Sequence, residues 1–229
     1  MNKVTRLILV RHGQTVWNKL GKYQGQADIE LSETGLEQAE LLGKNFAYPE
    51  VRAVYASPLK RAAATGRAIA AALGLEVVTC DELQEISFGD WEGLTYEEIN
   101  SVWPSVHDGL FNRPDITACP NGEGFFSVQE RAVSKLKELV EKHKGEDFVI
   151  AAHGGVNRTL LCYALDLPLR YMWNIRQDNT AVNVISFYEG GRITVDLMND
   201  THHLEDLNFV NRYLFLLLQS HHYPFQQYI

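Results

Sequence analysis

Two histidines of the 229-residue chain each end an apolar run and each precede a glycine. Arg11 and His12 follow "LILV", and His153 follows "VIAA". A neutral imidazole is a competent nucleophile near pH 7, and a guanidinium binds the oxygens of an oxyanion or phosphate in a bidentate manner. A polar end to a buried strand would explain one such site, but its recurrence favours paired site residues.

Metal binding is the competing interpretation of these histidines. No HxxxH or HxH spacing links His12 to His153, and no third ligand is evident in the sequence. The guanidinium groups of Arg11 and Arg61 would also repel a bound cation. We therefore expect no metal ion at this site.

The segments around these residues alternate between strand and helix patterns. A turn at Gly190 and Gly191 predicts that the last two strands, "VNVISF" and "RITVDLM", form an antiparallel pair at one edge of the sheet. Short apolar runs predict the earlier strands, at 6–10, 51–56, 75–79 and 147–152.

Capping residues indicate where the helices begin. Ser32 precedes a helix whose apolar positions include Leu36, and Ser57 followed by Pro58 predicts a second helix that ends at Gly74. Capping boxes, in which a Ser or Thr is followed three residues later by Glu, predict two further helices, at 95–98 and 127–130.

This order of elements predicts a three-layer α/β/α fold, with a mostly parallel sheet, helices on both faces and an antiparallel edge strand. Ligands of such sheets bind beyond the carboxyl ends of the strands. Arg11 and His12 follow one strand, the segment 57–61 follows another, and His153 follows a third. We therefore expect their side chains to converge on one crevice.

The composition excludes several classes of partner. A formal net charge of −8 predicts no general attraction to nucleic acid or to an anionic membrane, so an anionic substrate must meet a local cationic pocket. No linker or repeat divides the chain, which predicts a single domain over residues 1–229. The first ten residues carry too short an apolar run for a signal peptide, so we expect a cytoplasmic protein.

Several blocks of the sequence resemble the histidine phosphatase superfamily, also called the phosphoglycerate mutase-like family. They are "LVRHGQTVWN", "YASPLKRAAATG", "LQEISFGDWEG", "NGEGF", "AAHGGVNR" and "NDTHHL", in the family's order from Leu7 to Leu204. The blocks "ISFGDWEG" and "NDTHHL" resemble those of bacterial broad-specificity phosphatases and α-ribazole phosphatases. The resemblance implies a phosphoglycerate mutase-like fold.

The resemblance also assigns roles to individual residues. It implies that His12 takes the phosphoryl group as a phosphohistidine, that Arg11, Arg61 and His153 clamp the phosphate, and that Glu85 is the acid and base. It implies no cofactor. Contacts to the phosphate are implied for four further residues, Asn18, Gln24, Gly25 and Gly154.

The same resemblance leaves alternatives for the activity. Cofactor-dependent mutases carry an arginine and a tyrosine soon after the glutamate, whereas here Glu85 is followed by "ISFG", which favours hydrolysis of small-molecule phosphate monoesters. The alternatives are phosphoglycerate mutase activity or a non-catalytic protein that binds a phospholigand. Glu123, Trp91 and His202 have counterparts in the family, for which a structural role is as good an explanation as a place at the site.

Two segments receive predictions of their own. Residues 95–126 are irregular and are expected to cover the substrate and to read its leaving group. The tail, 205–229, contains the apolar run 213–218, which is far too short to cross a bilayer. We expect this tail to form a helix packed on its own domain, and a homodimer contact is the alternative.

Overall fold

The computed structural model of the protein describes residues 4–205, and its centre is one six-stranded sheet in the order β3-β2-β4-β1-β5-β6. The first four strands in this order are parallel, and β5 and β6 are antiparallel to their neighbours. The strands are β1 (Thr5–Arg11), β2 (Val51–Ala56), β3 (Val77–Thr79), β4 (Asp147–Ala152), β5 (Val182–Phe187) and β6 (Ile193–Asp200).

Helices cover both faces of this sheet. They are α1 (Val16–Lys19), α2 (Glu33–Lys44), α3 (Lys60–Leu73), α4 (Tyr96–Val102), α5 (Pro104–Asn112), α6 (Phe125–Lys142) and α7 (Gly154–Ala164). Short 3₁₀ turns occupy Asp81–Leu83, Gly89–Trp91, Leu169–Asn174 and His202–Leu204. The predicted three-layer fold, with a mostly parallel sheet and an antiparallel edge, is confirmed.

Side chains of β1 alternate between the two layers because successive residues of a strand point to opposite faces. Leu7 and Leu9 pack in the core that contains α6 and α7, and Ile8 and Val10 pack in the core that contains α2 and α3. This double burial explains why the strand is a continuous apolar run. It also leaves the polar residues that follow Val10 at the carboxyl edge of the sheet.

The capping prediction for α3 was wrong. Ser57 still donates its backbone N–H to Ala151 of the neighbouring strand, so the chain needs two more residues to leave the sheet. Leu59 is the N-cap residue, and the helix begins at Lys60, whose backbone N–H donates to Asp28 Oδ1 over 2.7 Å. The predicted end at Gly74 is confirmed, because that glycine adopts a left-handed conformation with φ of 65°.

Two other helix predictions differ from the structure. The helix α6 begins at Phe125 after Gly124, and Ser127 donates its hydroxyl back to the Gly124 carbonyl instead of capping the helix. Leu36 is 56% exposed, because the buried face of α2 is formed by Gly35, Ala39, Leu42 and Gly43 instead. The capping box at Thr95 and the cap at Ser32 are confirmed.

The predictions for the tail fall outside the described residues from position 206 onward. Among residues 4–205, no helix is long and apolar enough to cross a membrane. Of the segment 95–126, the structure forms α4 and α5, and the Leu110 carbonyl accepts a hydrogen bond from the indole N–H of Trp173. This contact joins the segment to the 3₁₀ turn at Leu169–Asn174.

Candidate active site

The two histidines meet where β1 and β4 end side by side. The backbone N–H of His12 donates to the Ala152 carbonyl over 3.0 Å, which extends the parallel pairing by one residue. The ring centroids of His12 and His153 are therefore only 5.2 Å apart. The convergence expected from the strand order places both imidazoles in one buried cluster.

Gly13 allows the chain to turn out of the sheet directly after His12. A Cβ atom at this position would lie 2.5 Å from the Gly35 carbonyl oxygen, which is closer than such atoms approach in proteins. The Gly13 N–H donates to the Thr65 hydroxyl over 3.1 Å, and this bond fixes the direction in which the chain leaves the sheet. The glycine is thus required by a close backbone approach to α2.

The hydrogen bonds of the His12 ring leave its Nε2 atom open. Nδ1 lies 2.7 Å from the Gly13 carbonyl, and because a carbonyl can only accept, Nδ1 carries the proton. Burial, followed by the positive charges of Arg61 and Arg11, holds the pKa of His12 well below its usual value. The ring is therefore neutral at pH 7, with a lone pair on Nε2, which is the form a nucleophile needs.

This electrostatic setting makes a prediction for the free protein. The imidazole of His12 should still be neutral at about pH 6.5, where an ordinary histidine is half protonated. We would measure this by ¹⁵N NMR of the ring nitrogens, with the signal assigned by its loss in His12→Asn. A His12 that titrates at or above 6.5 would contradict the effects assigned to burial and to the two arginines.

Two buried arginines surround the histidine pair. Arg61 donates from Nη1 to the Ala27 carbonyl over 2.9 Å and from Nη2 to the Gly25 carbonyl over 2.7 Å. Arg11 donates from Nη1 to the Gln177 carbonyl. The Nε atoms of both side chains have no hydrogen-bond partner among the described residues. Burial lowers the pKa of Arg61 to about 10, so its charge persists at neutral pH.

His153 lies behind His12 and is fully buried. Burial and the positive charge of Arg61 lower its pKa, so in the free protein this ring is neutral. Neither ring nitrogen has a hydrogen-bond partner among residues 4–205. His153 can therefore offer one N–H to an anion, whereas the positive charge of the cluster comes from the arginines.

The carboxylate of Glu85 is held at the N-terminus of α7. Its Oε2 accepts from the Gly155 N–H over 2.9 Å, and its Oε1 accepts from the N–H groups of Val156 and Ile86 over 3.2 and 3.0 Å. Helix N-termini favour negative groups because their first N–H groups have no partner inside the helix. The side chain lines the same crevice as His12.

Thr15 orients two amide side chains towards the crevice. Its buried hydroxyl donates to Gln24 Oε1 over 2.8 Å, and its backbone N–H donates to Asn18 Oδ1 over 3.0 Å. With both amide oxygens held on this side, the NH₂ groups of Asn18 and Gln24 remain as donors for a ligand. Sequence reasoning did not select Thr15, although its position three residues before Asn18 matches an N-cap pattern.

One crevice brings the predicted site residues together, with His153 as the exception that lies behind it. Its lining includes eight predicted residues, Arg11, His12, Asn18, Gln24, Gly25, Arg61, Glu85 and Gly154. It also includes residues that sequence reasoning missed, among them Lys22, Phe88, Arg158 and Trp173. Phe125 is the lining residue that comes from the segment 95–126.

Arg158 could have been found from the sequence, because it lies four residues after Gly154 and so shares its face of α7. Phe88 lies in the quoted block "ISFGDWEG" and carries no chemical signal of its own. Trp173 has no sequence signal that links it to the site. Its place depends on how the chain returns from α7 to β5, a path set by packing.

The sequence left two interpretations for Glu123, Trp91 and His202, and in the structure each has surroundings that fit a structural role. Glu123 pairs with Arg131, which in turn donates to the carbonyl of Glu85 over 3.0 Å and so steadies that loop. Trp91 is fully buried in the core. His202 is exposed and lies beside Glu205, 2.8 Å away, in a separate depression bordered by α2.

Comparisons with known proteins agree with this geometry. The family described as the histidine phosphatase superfamily, branch 1, matches residues 7–201. Phosphoglycerate mutase-like protein 4 of Arabidopsis thaliana is 36% identical over 89% of each chain. Phosphoserine phosphatase 1 of Hydrogenobacter thermophilus is 34% identical over 88% of this chain and 95% of its own. The solved structure of YhfR from Bacillus stearothermophilus has a TM-score of 0.83 and 35% identity, and covers 88% of this chain and 100% of its own.

The fold and the site therefore define an α/β enzyme that handles phosphate esters. The chain belongs to the histidine phosphatase superfamily, as its sequence motifs predicted. It is a phosphatase of small phosphate monoesters.

Proposed function

We propose that the protein hydrolyses its substrate through a phosphohistidine formed on Nε2 of His12. The observation that carries this proposal is the hydrogen bond from His12 Nδ1 to the Gly13 carbonyl, which leaves a free lone pair on Nε2 of a ring that feels the positive charges of Arg61 and Arg11. A positioned neutral imidazole divides one difficult displacement into two easier ones. Arg11 and Arg61 stabilise the charge on the phosphoryl oxygens as the group moves.

The first half of the reaction transfers the phosphoryl group to the enzyme. Nε2 of His12 forms a bond to phosphorus while the ester P–O bond breaks, and the leaving oxygen takes a proton from the carboxyl group of Glu85. The His153 N–H and the amide donors of Asn18 and Gln24 hold the phosphoryl oxygens. The two guanidinium groups can hold an anion although the net charge of the protein is negative. This is because salt screens surface charges that lie more than about 10 Å away.

The second half returns the enzyme to its starting state. The Glu85 carboxylate takes a proton from a water molecule, the water oxygen bonds to phosphorus, and the P–N bond to His12 breaks. The products are an alcohol and inorganic phosphate. Glu85 is well placed for both transfers, because the amides of Gly155 and Ile86 hold its carboxylate at the crevice wall.

Phosphoserine is our first candidate for the substrate. A phosphoserine phosphatase is among the relatives that cover most of this chain. The crevice is small, and its lining combines Lys22 and Arg158 with aromatic side chains, which suits a short alcohol that carries charge. We propose that the segment 95–126 limits the size of the alcohol through Phe125.

One assay separates the alternatives. Phosphate release is measured for phosphoserine, α-ribazole 5′-phosphate, sugar phosphates, phosphoglycerates and fructose bisphosphates, each with and without EDTA. We expect the highest kcat/KM for phosphoserine and no effect of the chelator, because guanidinium groups line the crevice. Strong inhibition by EDTA would contradict the metal-free reaction. Interconversion of phosphoglycerates that outpaces hydrolysis would establish the mutase, and binding without turnover would establish a phospholigand-binding protein.

Two further predictions from the sequence stay predictions. They are the cytoplasmic location and the homodimer contact through the tail.

A further inference from the structure

Arg158 is a buried cation that the proposed chemistry leaves unused. Its side chain is 1% exposed, in the second turn of α7, and yet it lines the crevice. Its Nε donates to the Ile175 carbonyl over 2.8 Å, and its guanidinium carbon lies 5.3 Å from the ring centre of Trp173. Nη2 is buried without a hydrogen-bond partner among residues 4–205.

The guanidinium group is held at one end and lacks a hydrogen-bond partner for Nη2 at the other, among the described residues. The bond to Ile175 holds Nε, and the indole of Trp173 covers one face, so the side chain has little freedom to turn away. The two Nη groups of an arginine lie in one plane and match the two oxygens of a planar acid. A ligand that enters this end of the crevice therefore meets a donor pair suited to a carboxylate.

Arg158 lies directly beside Arg11 of the phosphate clamp. A Cβ atom on Gly154 would lie 3.1 Å from Arg158 Nη1 and 3.3 Å from Arg11 Nε, so the two side chains flank this glycine. The charges that lower the pKa of His12 are those of Arg61 and Arg11. Burial and then the positive charge of Arg11 lower the pKa of Arg158 to about 9, whereas the carboxylate of Glu85, the group that would protonate the leaving oxygen, acts to raise it.

We propose that Arg158 binds a carboxylate on the alcohol portion of the substrate and so selects small phosphate monoesters that carry an acid a few bonds from the leaving oxygen. This inference deepens the proposed function and rests on it. The aromatic wall formed by Trp173 and Phe125, whose ring centres are 5.3 Å apart, borders the same place and limits the alcohol to a short chain.

Phosphoserine and phosphoethanolamine form a matched pair of probes, because they differ only by the carboxylate. We expect wild-type kcat/KM to be at least about 10-fold higher for phosphoserine, since one bidentate contact to a charged group accounts for a difference of that order. In Arg158→Gln, kcat/KM for phosphoserine should fall by about 10- to 100-fold, and that for phosphoethanolamine should change by less than about 3-fold. Arg158→Lys keeps the positive charge but loses the planar pair of Nη donors. Its kcat/KM for phosphoserine should therefore lie between the values for the wild type and Arg158→Gln.

The matched control is Arg170→Gln. Arg170 is an exposed arginine in the same 3₁₀ turn as Trp173 and does not line the crevice, so its loss removes one charge from the region without touching the ligand. In this variant we expect the ratio of kcat/KM for phosphoserine to kcat/KM for phosphoethanolamine to match that of the wild type. Equal losses for both esters in Arg158→Gln, or no loss for either, would overturn the proposal. A wild-type enzyme that hydrolyses phosphoethanolamine as well as phosphoserine would also overturn it.

Binding measurements keep this test separate from the proposed reaction. The Kd values of the two esters are measured by isothermal titration calorimetry on His12→Asn with and without Arg158→Gln. Absence of phosphate release by the wild type would overturn the proposed function, while a Kd ratio above about 10 that is lost with Arg158 would still support the carboxylate site. A Kd ratio near one would overturn the carboxylate site even in an active enzyme.

Discussion

Replacing His12 with asparagine is expected to lower kcat by about 10⁴-fold or more, because loss of a nucleophile removes the covalent route entirely. Asparagine is close in size to the front of the imidazole and can still bond to the Gly13 carbonyl, so the fold should survive. Phosphate release from phosphoserine measures the loss. The wild-type enzyme, quenched in base after mixing with ³²P-labelled substrate, should carry an acid-labile phosphoryl group that the variant lacks.

The control for this experiment is His202→Asn. His202 is exposed and lies in the depression bordered by α2, away from the crevice, so activity and labelling should match the wild type. Thermal unfolding of both variants checks that each is folded. If His12→Asn keeps more than about a tenth of the wild-type kcat, the nucleophile is another group and the proposed reaction is wrong.

The positions of the catalytic candidates could be predicted because they depend on the ends of strands. Two apolar runs that each stop at a polar residue and a glycine are enough to assign Arg11, His12 and His153 to the carboxyl edge of the sheet. The motif resemblance then supplied Glu85 and Asn18, which periodicity alone could not select. Arg11, His12 and His153 lie at the ends of the strands that position them, so local patterns carry the information. Glu85 is instead held by N–H groups of α7, far along the chain.

The leaving-group side of the crevice could not be predicted in the same way. Trp173 and Phe88 reach it from turns whose positions depend on long-range packing, and aromatic residues of this kind are more often core than site. The first residues of some helices could not be predicted for the same reason. Ser57 has the right type for a cap, but its backbone is still paired with the neighbouring strand, and this pairing decides where α3 begins.

The pKa directions of the histidines also required the structure. The sequence places Arg11 beside His12, but burial is the largest cause of the lowered pKa, and burial depends on the layers that close around the strand ends. The same holds for His153, which was expected to help neutralise the phosphate. In the free protein it is a neutral donor, so the arginines supply the positive charge.

Replacing Glu85 with glutamine is expected to lower kcat for phosphoserine by about 10²- to 10⁴-fold, because glutamine can neither give a proton to the leaving oxygen nor take one from water. The amide also places an NH₂ group where carboxylate oxygens now accept bonds from Gly155, Val156 and Ile86. The matched control is Glu82→Gln, three residues earlier in the same acidic segment. Glu82 pairs with Lys135 and does not line the crevice, so kcat should stay within about 3-fold.

The choice of leaving group separates the two proton transfers of Glu85. Nitrophenolate is a weak base and leaves without a proton, so the first step of Glu85→Gln should stay fast with p-nitrophenyl phosphate. The second step still needs a base to activate water, and the phosphohistidine should therefore accumulate. Stopped-flow measurements should show a burst of about one nitrophenolate per active site, followed by slow turnover. Rapid turnover of p-nitrophenyl phosphate with slow turnover of phosphoserine would confine Glu85 to the first step, whereas rapid turnover of both esters would remove it from the reaction.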